Sequence, residues 1–344
     1  MQKVIISFRF KLKFSIDFVI IFIVMPDIFT LGEALIDFVP RESGLSLAEV
    51  SGFYKRFGGA PANVAMGLAK LGSDAGFIGK VGKDSFGDFL ENKFSEVGVD
   101  VNQLRRTTRA NTTLAFVSLT KEGDRDFVFY RDPGADELLK PEEIDEEALG
   151  KARVFHFGSI SLTKEESREA TKRAIRVSRN EGVKVAMDPN IRLNLWNDRS
   201  ELKESILALL GKVDILKLSE EEVEFLTGTD DLRSGASELA DLGPGPILVT
   251  LGERGCLYYY KDNVERLEGH GVEVKDTTGA GDGFMAGFLH KLLEKSEDLS
   301  NIESHNLRPA LRFGNATGAL TTTGYGATTA FPDSVEVENF LKEG

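Results

Sequence analysis

The sequence predicts an α/β fold in which an open, mostly parallel β-sheet is covered by helices on both faces. Apolar segments of strand length alternate with segments of helical periodicity along most of the chain, a pattern typical of parallel sheets. Several of the predicted strands end at Asp37, Asp188, Gly252 or Asp276. Because ligands bind beyond the carboxyl ends of strands in such sheets, we expect these positions to lie around one site.

Short apolar runs predict the strands and apolar spacings of three or four residues predict the helices. The predicted strands are 28–38, 75–81, 112–119, 126–131, 154–157, 183–187, 213–218, 247–251, 256–260 and a short strand at 272–274. The first predicted helix opens within 58–63 and ends at Gly72, a residue that favours helix ends. The others are a helix that follows 82–87 and ends near Val97, then 164–181, 199–211, one that begins within 219–227, one after Asp282, and 307–321.

The segments 112–119 and 126–131 are expected to form a hairpin around a turn at Glu122-Gly123-Asp124. The hairpin is inserted between helical units. We therefore expect the region 110–132, together with 41–57, to form a small β lid on a single domain of residues 25–344.

The first 24 residues alternate apolar and polar side chains and lead into a short apolar run at 18–25. That run is too short to span a bilayer, and Asp17 interrupts any longer one. The residues before Met25 also lack the small side chains of a signal-peptide cleavage site. The preferred interpretation is that Met25 is the natural start and that residues 1–24 are an upstream extension. An added amphipathic strand and a membrane-directing segment are the alternatives.

Composition and charge limit the classes of partner and compartment. The chain of 344 residues is 41% apolar and 28% charged, values typical of a globular protein with ample core. The net charge of −13 argues against nucleic acid or an anionic membrane as a partner, because both attract basic surfaces. Cys256 is the single cysteine, which excludes an internal disulfide and fits a cytoplasmic location.

The stretch Asp276-Thr277-Thr278-Gly279-Ala280-Gly281-Asp282-Gly283 is the strongest functional signal in the chain. A Gly-rich turn at a helix N-terminus directs backbone N–H groups and the positive end of the helix dipole at one place, which favours an anion. Asp282 would then be a carboxylate beside a phosphate, where a phosphoryl-transfer enzyme takes a proton from an attacking hydroxyl. The alternative is that Asp282 only caps the helix.

Several common catalytic motifs are absent from the sequence. It contains no Gly-x-x-x-x-Gly-Lys-Ser/Thr, no Gly-x-Gly-x-x-Gly after the first strand and no Gly-x-Ser-x-Gly. These absences argue against P-loop, dinucleotide-binding and hydrolase chemistry. His156 lies within an apolar strand and is interpreted as part of the core or of a pocket wall.

Two passages in combination resemble the ribokinase-like, or PfkB, family of carbohydrate kinases. One is Gly58-Gly59-Ala60-Pro61-Ala62-Asn63 through Gly79-Lys80-Val81-Gly82-Lys83-Asp84-Ser85-Phe86-Gly87, and the other is 276–283. The resemblance covers residues 27–335. It implies a three-layer α/β/α sandwich with a mostly parallel central sheet and a small β lid.

The resemblance also implies roles for the residues that match the family's motifs. Asp282 is the expected base. The expected anion hole for the transferred phosphoryl group is the backbone of 279–282, with Gly279, Ala280 and Gly281. The residues expected to bind sugar hydroxyls are Asp37, Gly58, Gly59 and Asn63.

Further implied roles concern the nucleotide and the metal ions. The nucleotide side is expected at Ser219, Thr250, Gly252 and Asn315. A monovalent cation, K⁺, is expected at Asp276 and Thr278. Glu222 matches the glutamate of the family's Asn-x-x-Glu, which orders Mg²⁺ through water, whereas Ser219 departs from the asparagine. The expected cofactors are therefore ATP and Mg²⁺, with K⁺ as a further ion.

The resemblance includes two kinds of kinase that differ in their sugar. Residues 129–136 and 188–196 are most similar to fructokinases and partly similar to 2-keto-3-deoxygluconate kinases. The first branch implies transfer of the ATP γ-phosphoryl group to the fructose 6-hydroxyl. The second implies an acidic sugar whose carboxylate is held by Arg131 or Arg192. A non-catalytic sugar sensor is the alternative of another class, and the retained Asp282 argues against it. Exposed strand edges of the lid make a homodimer a further expectation.

Overall fold

Two sheets organise the chain in the computed structural model, which describes residues 25–42, 44–119, 125–300 and 302–343. The predictions for residues 1–24 and for the turn at 122–124 lie outside these residues. None of the helices in the described part of the chain has the length and apolar character that crossing a bilayer requires.

The bounds of the regular elements follow in chain order. The strands are β1 (Ile28–Leu31), β2 (Leu35–Pro40), β3 (Phe53–Gly58), β4 (Ala75–Gly82), β5 (Asp100–Thr107), β6 (Leu114–Leu119), β7 (Arg125–Tyr130), β8 (Val154–Phe157), β9 (Lys184–Met187), β10 (Ile215–Ser219), β11 (Ile247–Thr250), β12 (Cys256–Tyr260) and β13 (Asn263–Leu267). The helices are α1 (Ala60–Lys70), α2 (Ser85–Val97), α3 (Glu146–Gly150), α4 (Glu165–Glu181), α5 (Arg199–Leu210), α6 (Glu220–Thr227), α7 (Leu232–Asp241), α8 (Ala280–Lys295), α9 (Ser304–Thr321), α10 (Ala327–Ala330) and α11 (Ser334–Glu343).

The central sheet has the strand order β13-β12-β11-β10-β9-β8-β1-β4-β5 among the described strands. Its strands pair in parallel from β5 to β11, whereas β12 is antiparallel to both of its neighbours. Every residue of β1, β4 and β8 is buried, as expected for parallel strands covered on both faces. The predicted mostly parallel sheet is confirmed.

Helices pack on both faces of this sheet. Apolar side chains of α4, α5, α6 and α7 form one core with one face, and those of α1, α8, α9 and α11 form a second core with the other. Glycines let α8 and α9 approach closely: a Cβ on Gly314 would lie 2.9 Å from the Phe284 carbonyl oxygen. The predicted three-layer α/β/α sandwich is confirmed, and it holds the first turn of α8 at the carboxyl edge of the sheet.

A small four-stranded sheet of order β3-β2-β6-β7 lies beside that edge. β2 is antiparallel to β3 and parallel to β6, and β6 and β7 form the predicted hairpin. Aromatic rings of Phe38, Phe53, Phe116 and Tyr130 stack or meet edge to face on this sheet. Among the described residues of the region 41–57, those of β3 form a strand and the others do not.

The prediction of one strand over 28–38 is wrong, because the chain changes sheet in the middle of that segment. β1 ends at Leu31 and β2 begins at Leu35 in the small sheet. Gly32 lies against the ring of Pro61, where a Cβ would approach to 2.6 Å. Asp37 therefore lies inside β2, opposite Arg56, and not at the end of a central strand.

Other elements differ from the sequence prediction at the edges of the sheet and on the surface. Residues 272–274 form no strand, so Asp276 follows an irregular segment. β5, β13, α7 and α11 were not predicted. β5 and β13 are the two outermost strands and carry mostly polar side chains, and α7 contains Gly235 and few large apolar residues, so their hydrophobic patterns are weak.

Candidate active site

A cavity of about 570 Å³ opens where the carboxyl ends of the central strands face the small sheet. It is lined by ends of central strands, the inner side of the small sheet, the loop at 190–193 and the first turns of α1, α6 and α8. The lining residues used below are Glu33, Asp37, Gly59, Ala60, Asn63, Phe127, Ile191, Arg192, Lys217, Ser219, Glu221, Glu222, Thr278, Gly279, Ala280, Gly281 and Asp282. Predicted site residues from distant parts of the sequence thus meet here.

Asp282 lies in the first turn of α8 with its side chain buried. Its carboxylate accepts a hydrogen bond from the Asn63 amide at 2.8 Å, and no backbone N–H of the described residues donates to it. Burial raises the pKa of Asp282 to about 6, with Asn63 and Lys217 opposing the rise. A carboxylate that is ionised at neutral pH yet more basic than usual suits a general base, and this arrangement disfavours the capping alternative.

The turn before Asp282 presents a helix N-terminus to the cavity. Gly279 has a φ of 78°, in the left-handed region, and a Cβ on it would overlap Ala327. A Cβ on Gly281 would lie 3.0 Å from Lys217 Nζ. The first N–H groups of a helix have no partner within the helix. Here Ala280 N–H donates to the Thr277 carbonyl oxygen at 3.3 Å, so the turn combines its remaining N–H donors, the positive end of a dipole and a nearby ammonium group. Such an arrangement is able to bind an anion.

Lys217 is a cavity residue with no role predicted from the sequence, and its partner Asp188 was expected near the site only as a strand end. Lys217 Nζ pairs with Asp188 Oδ2 at 2.9 Å, and both side chains are buried. Burial acts to lower the pKa of Lys217, but the charges of Asp188 and Glu222 outweigh it and raise the pKa above its usual value. The sequence signal that could have identified Lys217 is a lysine in the middle of the apolar strand Ile215–Ser219.

Ser219 and Glu222 form a capping box at the start of α6. Glu222 N–H donates to Ser219 Oγ at 3.2 Å, and Ser219 N–H donates to a Glu222 carboxylate oxygen at 2.9 Å. The other Glu222 oxygen accepts from Ile191 N–H at 2.7 Å. Burial and the charge of Asp188 raise the pKa of Glu222. The serine that departs from the family's asparagine therefore has a local structural role.

Asp37 and the Gly-Gly turn form the opposite end of the cavity. A Cβ on Gly58 would overlap the Asp37 carboxylate, and a Cβ on Gly59 would overlap the backbone of Glu33. Gly59 also has a φ of 104°. Neighbouring atoms thus approach both positions too closely for a side chain. Asn63 follows on α1, and its Oδ1 is buried without a partner within the described structure.

Arg131 is placed differently from the prediction. Its guanidinium is buried outside the cavity lining, pairs with Asp136 at 2.7 Å and Glu137 at 3.5 Å, and donates to the Ile160 carbonyl oxygen. Its contact with the sugar stays a prediction, and in this structure the carboxylates near it in sequence fold back onto it. Arg192 does line the cavity, with its guanidinium 5.4 Å from the Phe127 ring centroid.

The remaining residues predicted from the sequence lie at the edge of the cavity or outside it. Asp276 accepts hydrogen bonds from the N–H and hydroxyl of Thr278 and from Gly326 N–H, so it ties its loop to the segment before α10. Thr250 donates to the Leu218 carbonyl oxygen. Within the described residues, Thr250, Gly252 and Asn315 do not line this cavity, although Thr250 ends β11 beside Ser219. His156 is buried in β8, where burial lowers its pKa to about 4.

Comparison with known proteins identifies the family. A model described as the pfkB family of carbohydrate kinases matches residues 25–334. The chain belongs to this family. Among its relatives, a protein named probable fructokinase-2 from Arabidopsis thaliana is 45% identical over 312 residues, which are 90% of this chain and 94% of the relative.

Solved structures agree with this assignment. A fructokinase double mutant from Vibrio cholerae O395, with fructose, ADP and a potassium ion bound, matches at a TM-score of 0.83 and 33% identity over 92% of this chain and 98% of that one. Aminoimidazole riboside kinase from Salmonella enterica, complexed with aminoimidazole riboside and an ATP analogue, matches at a TM-score of 0.80 and 31% identity. The match covers 91% of this chain and 99% of that one. Both neighbours are kinases solved with a nucleotide or its analogue.

Proposed function

We propose that this protein is an ATP-dependent fructokinase that converts D-fructose to fructose 6-phosphate. The observation that carries the sugar assignment is the chemistry of the cavity. The carboxyl groups of Glu33, Asp37 and Asp282 line it together with the cations Arg192, Arg199 and Lys217, whereas Arg131 is paired with Asp136 elsewhere. Carboxylates accept hydroxyl hydrogen bonds from a neutral sugar and repel the carboxylate of an acidic one.

The sugar end of the cavity supports this role. Asp37, Asn63 and the backbone at Gly59 line this end and provide acceptors and donors, and Gly58 lies against the Asp37 carboxylate. Asn63 donates to Asp282, so one residue of the sugar site also orients the base. We assign the fructose 6-hydroxyl to a position beside Asp282.

In the proposed reaction, Asp282 takes the proton of the 6-hydroxyl as that oxygen attacks the γ-phosphorus, and ADP leaves. Backbone N–H groups of Gly279, Ala280 and Gly281 stabilise the charge on the transferred phosphoryl group. Lys217 adds a positive charge beside Gly281, at the position that the close approach of Nζ indicates. The nucleotide extends from there towards Ser219, Thr250, Gly252 and Asn315.

The acidic end of the cavity fits a hard cation. Glu221 and Glu222 line it, and their carboxylate oxygens are the ligand type that Mg²⁺ prefers. Glu222 already accepts two backbone hydrogen bonds, so we assign it to Mg²⁺ through water rather than directly. Bound Mg²⁺ neutralises phosphate charge during transfer. We assign K⁺ to the loop of Asp276 and Thr278, whose hydrogen bonds shape its backbone.

The small sheet is proposed to act as a lid and as a dimer surface. It covers the sugar end through β2 and β7, so closure would exclude water as a competing phosphoryl acceptor. Tyr54, Val128 and Tyr130 are 49%, 42% and 65% exposed on it, and β3 and β7 are open edges. A homodimer formed through this sheet is testable by sedimentation. The buried single cysteine, Cys256, is consistent with the cytoplasmic location that we propose.

Side-by-side coupled assays that follow ADP release with Mg·ATP test the substrate. We expect kcat/KM for fructose to exceed that for 2-keto-3-deoxygluconate at least about tenfold, a difference of about 1.4 kcal/mol in transition-state stabilisation. Equal or reversed preference would assign the enzyme to the acidic sugar. Sugar binding without ADP release would support a sensor instead, and preference for a riboside would support a nucleoside-like substrate.

A further inference from the structure

Glu33 is a buried carboxyl group at the joint between the two sheets. It follows the end of β1, where the chain leaves the central sheet for β2. Its side chain is buried, with the residue 2% exposed, and it lines the cavity together with Asp37, Gly59 and Asn63. The sequence analysis assigned it no role.

The two oxygens of Glu33 differ in their partners. Oε1 accepts a hydrogen bond from Ala60 N–H at 2.9 Å and so holds the start of α1, directly after the Gly-Gly turn. Oε2 is buried without a hydrogen-bond partner in the described structure. A buried oxygen without a hydrogen-bond partner is destabilising, and such groups persist in folded proteins mainly where a ligand or water completes them.

The protonation of Glu33 widens what Oε2 can bind. Burial raises the pKa of Glu33 to about 7; Asp136 adds to the rise and Arg131 opposes it. Near neutral pH the group is thus present both as an acceptor and as a carboxyl O–H donor. A sugar hydroxyl, which donates and accepts, is complementary to both forms, whereas a carboxylate ligand is not complementary to the ionised form.

We infer that Glu33 is a sugar-specificity residue: its Oε2 hydrogen-bonds one fructose hydroxyl, while its Oε1 fixes the Gly58–Ala60 turn against the same sugar. This inference rests on the proposed fructokinase activity and extends it. It assigns Glu33 a contact with the substrate away from the phosphoryl group. Its loss should therefore affect the sugar and not the nucleotide.

The test compares Glu33→Met, Glu33→Gln and the matched surface variant Glu204→Met, which lies on an exposed position of α5. Steady-state assays measure KM for fructose and for ATP. Glu33→Met should raise the fructose KM at least about tenfold and leave the ATP KM within about twofold, because one hydrogen bond is lost at the sugar only. Glu33→Gln keeps polar atoms at both positions and should recover most of the loss, and Glu204→Met should equal the wild type.

Sugar analogues that each lack one hydroxyl separate contact from packing. We use 1-deoxy-, 3-deoxy- and 4-deoxyfructose and 2,5-anhydromannitol, which lacks the anomeric hydroxyl. The Glu33→Met penalty should be clearly smaller for one of them, which lacks the hydroxyl bound by Oε2, and persist in full for the others. A penalty that is equal for every sugar and for ATP would overturn the inference and leave Glu33 a structural residue, as would an unchanged fructose KM.

Thermal denaturation distinguishes a lost sugar contact from a folding defect. In Glu33→Met, stabilisation by ADP should persist while stabilisation by fructose is lost, and retention of both would count against the inference. The wild-type assay distinguishes the two levels of failure. A wild-type enzyme that does not phosphorylate fructose overturns the proposed function and this inference with it, whereas an active wild type with insensitive Glu33 variants overturns the inference alone.

Discussion

Lys217 and Arg131 are two buried cations with similar surroundings and different relations to the cavity. Both side chains are less than 10% exposed, and each pairs with an aspartate, at 2.9 and 2.7 Å respectively. Arg131 also contacts Glu137 and the Ile160 carbonyl oxygen and does not line the cavity. Lys217 has one hydrogen bond in the described structure, to Asp188, and does line it.

The comparison shows that the number of unused donors separates a structural cation from one that can act on a ligand. An ammonium group has three donors, so Lys217 retains two for a phosphoryl group. The guanidinium of Arg131 is directed at carboxylates and a carbonyl within the protein, so its removal should affect stability. The predictions below test this distinction, in order of their expected effect on turnover.

Asp282→Asn should cause the largest loss, because it removes the proposed base beside Lys217. Turnover with Mg·ATP and fructose should fall by on the order of 10²–10⁴-fold. Asparagine is nearly isosteric, so the melting temperature should stay close to that of the wild type. Near-normal turnover in this variant would exclude Asp282 as the base.

Lys217→Met should lower kcat by on the order of 10²–10³-fold, because the transferred phosphoryl group loses a charge partner in a buried site. It also leaves Asp188 without a counter-ion, so the protein should be less stable. The double variant Lys217→Met, Asp188→Asn removes the unpaired charge. It should recover stability in thermal denaturation without recovering kcat, and recovery of kcat would show that Lys217 acts only through Asp188.

The pH profile of kcat/KM should show an acidic limb near the pKa of Asp282, which burial raises to about 6. The reaction needs the ionised carboxylate, so the rate should fall about tenfold for each pH unit below that value. Lys217 lowers this pKa, so Lys217→Met should move the limb to higher pH. Arg131→Met should leave the acidic limb at the pH of the wild type. An equal shift of the limb in both variants would remove the distinction between the two cations.

Arg131→Met should have the smallest effect on turnover, with kcat/KM for fructose within about threefold of the wild type. Its effect should appear in denaturant unfolding instead. Leaving Asp136 and Glu137 buried without their cation should lower the free energy of unfolding by about 3–5 kcal/mol. Arg176→Met, at an exposed position of α4, is the control and should change stability by no more than about 0.5 kcal/mol. A large rise in the fructose KM of Arg131→Met would instead support the contact between Arg131 and the sugar that the sequence predicts.

Local patterns in the sequence were sufficient for the alternation of strands and helices, for the parallel sheet and for the turn before Asp282. Each depends on neighbours within a few residues: apolar runs predict buried strands, and a Gly-rich segment before an apolar helix predicts an anion site. The family motifs also placed Asp37, Gly58, Gly59, Asn63 and Glu222, which are all at or beside the cavity.

Only the tertiary structure decided which side chains complete one another's hydrogen bonds. The step from β1 to β2 places Asp37 in the small sheet, and at this step Gly32 packs on Pro61, a residue far from it in the chain. In the sequence, Arg131 is a basic residue just after a strand and Lys217 is a basic residue in the middle of one. Whether each is saturated by carboxylates or left with free donors towards a cavity depends on long-range packing, as does the unpartnered oxygen of Glu33.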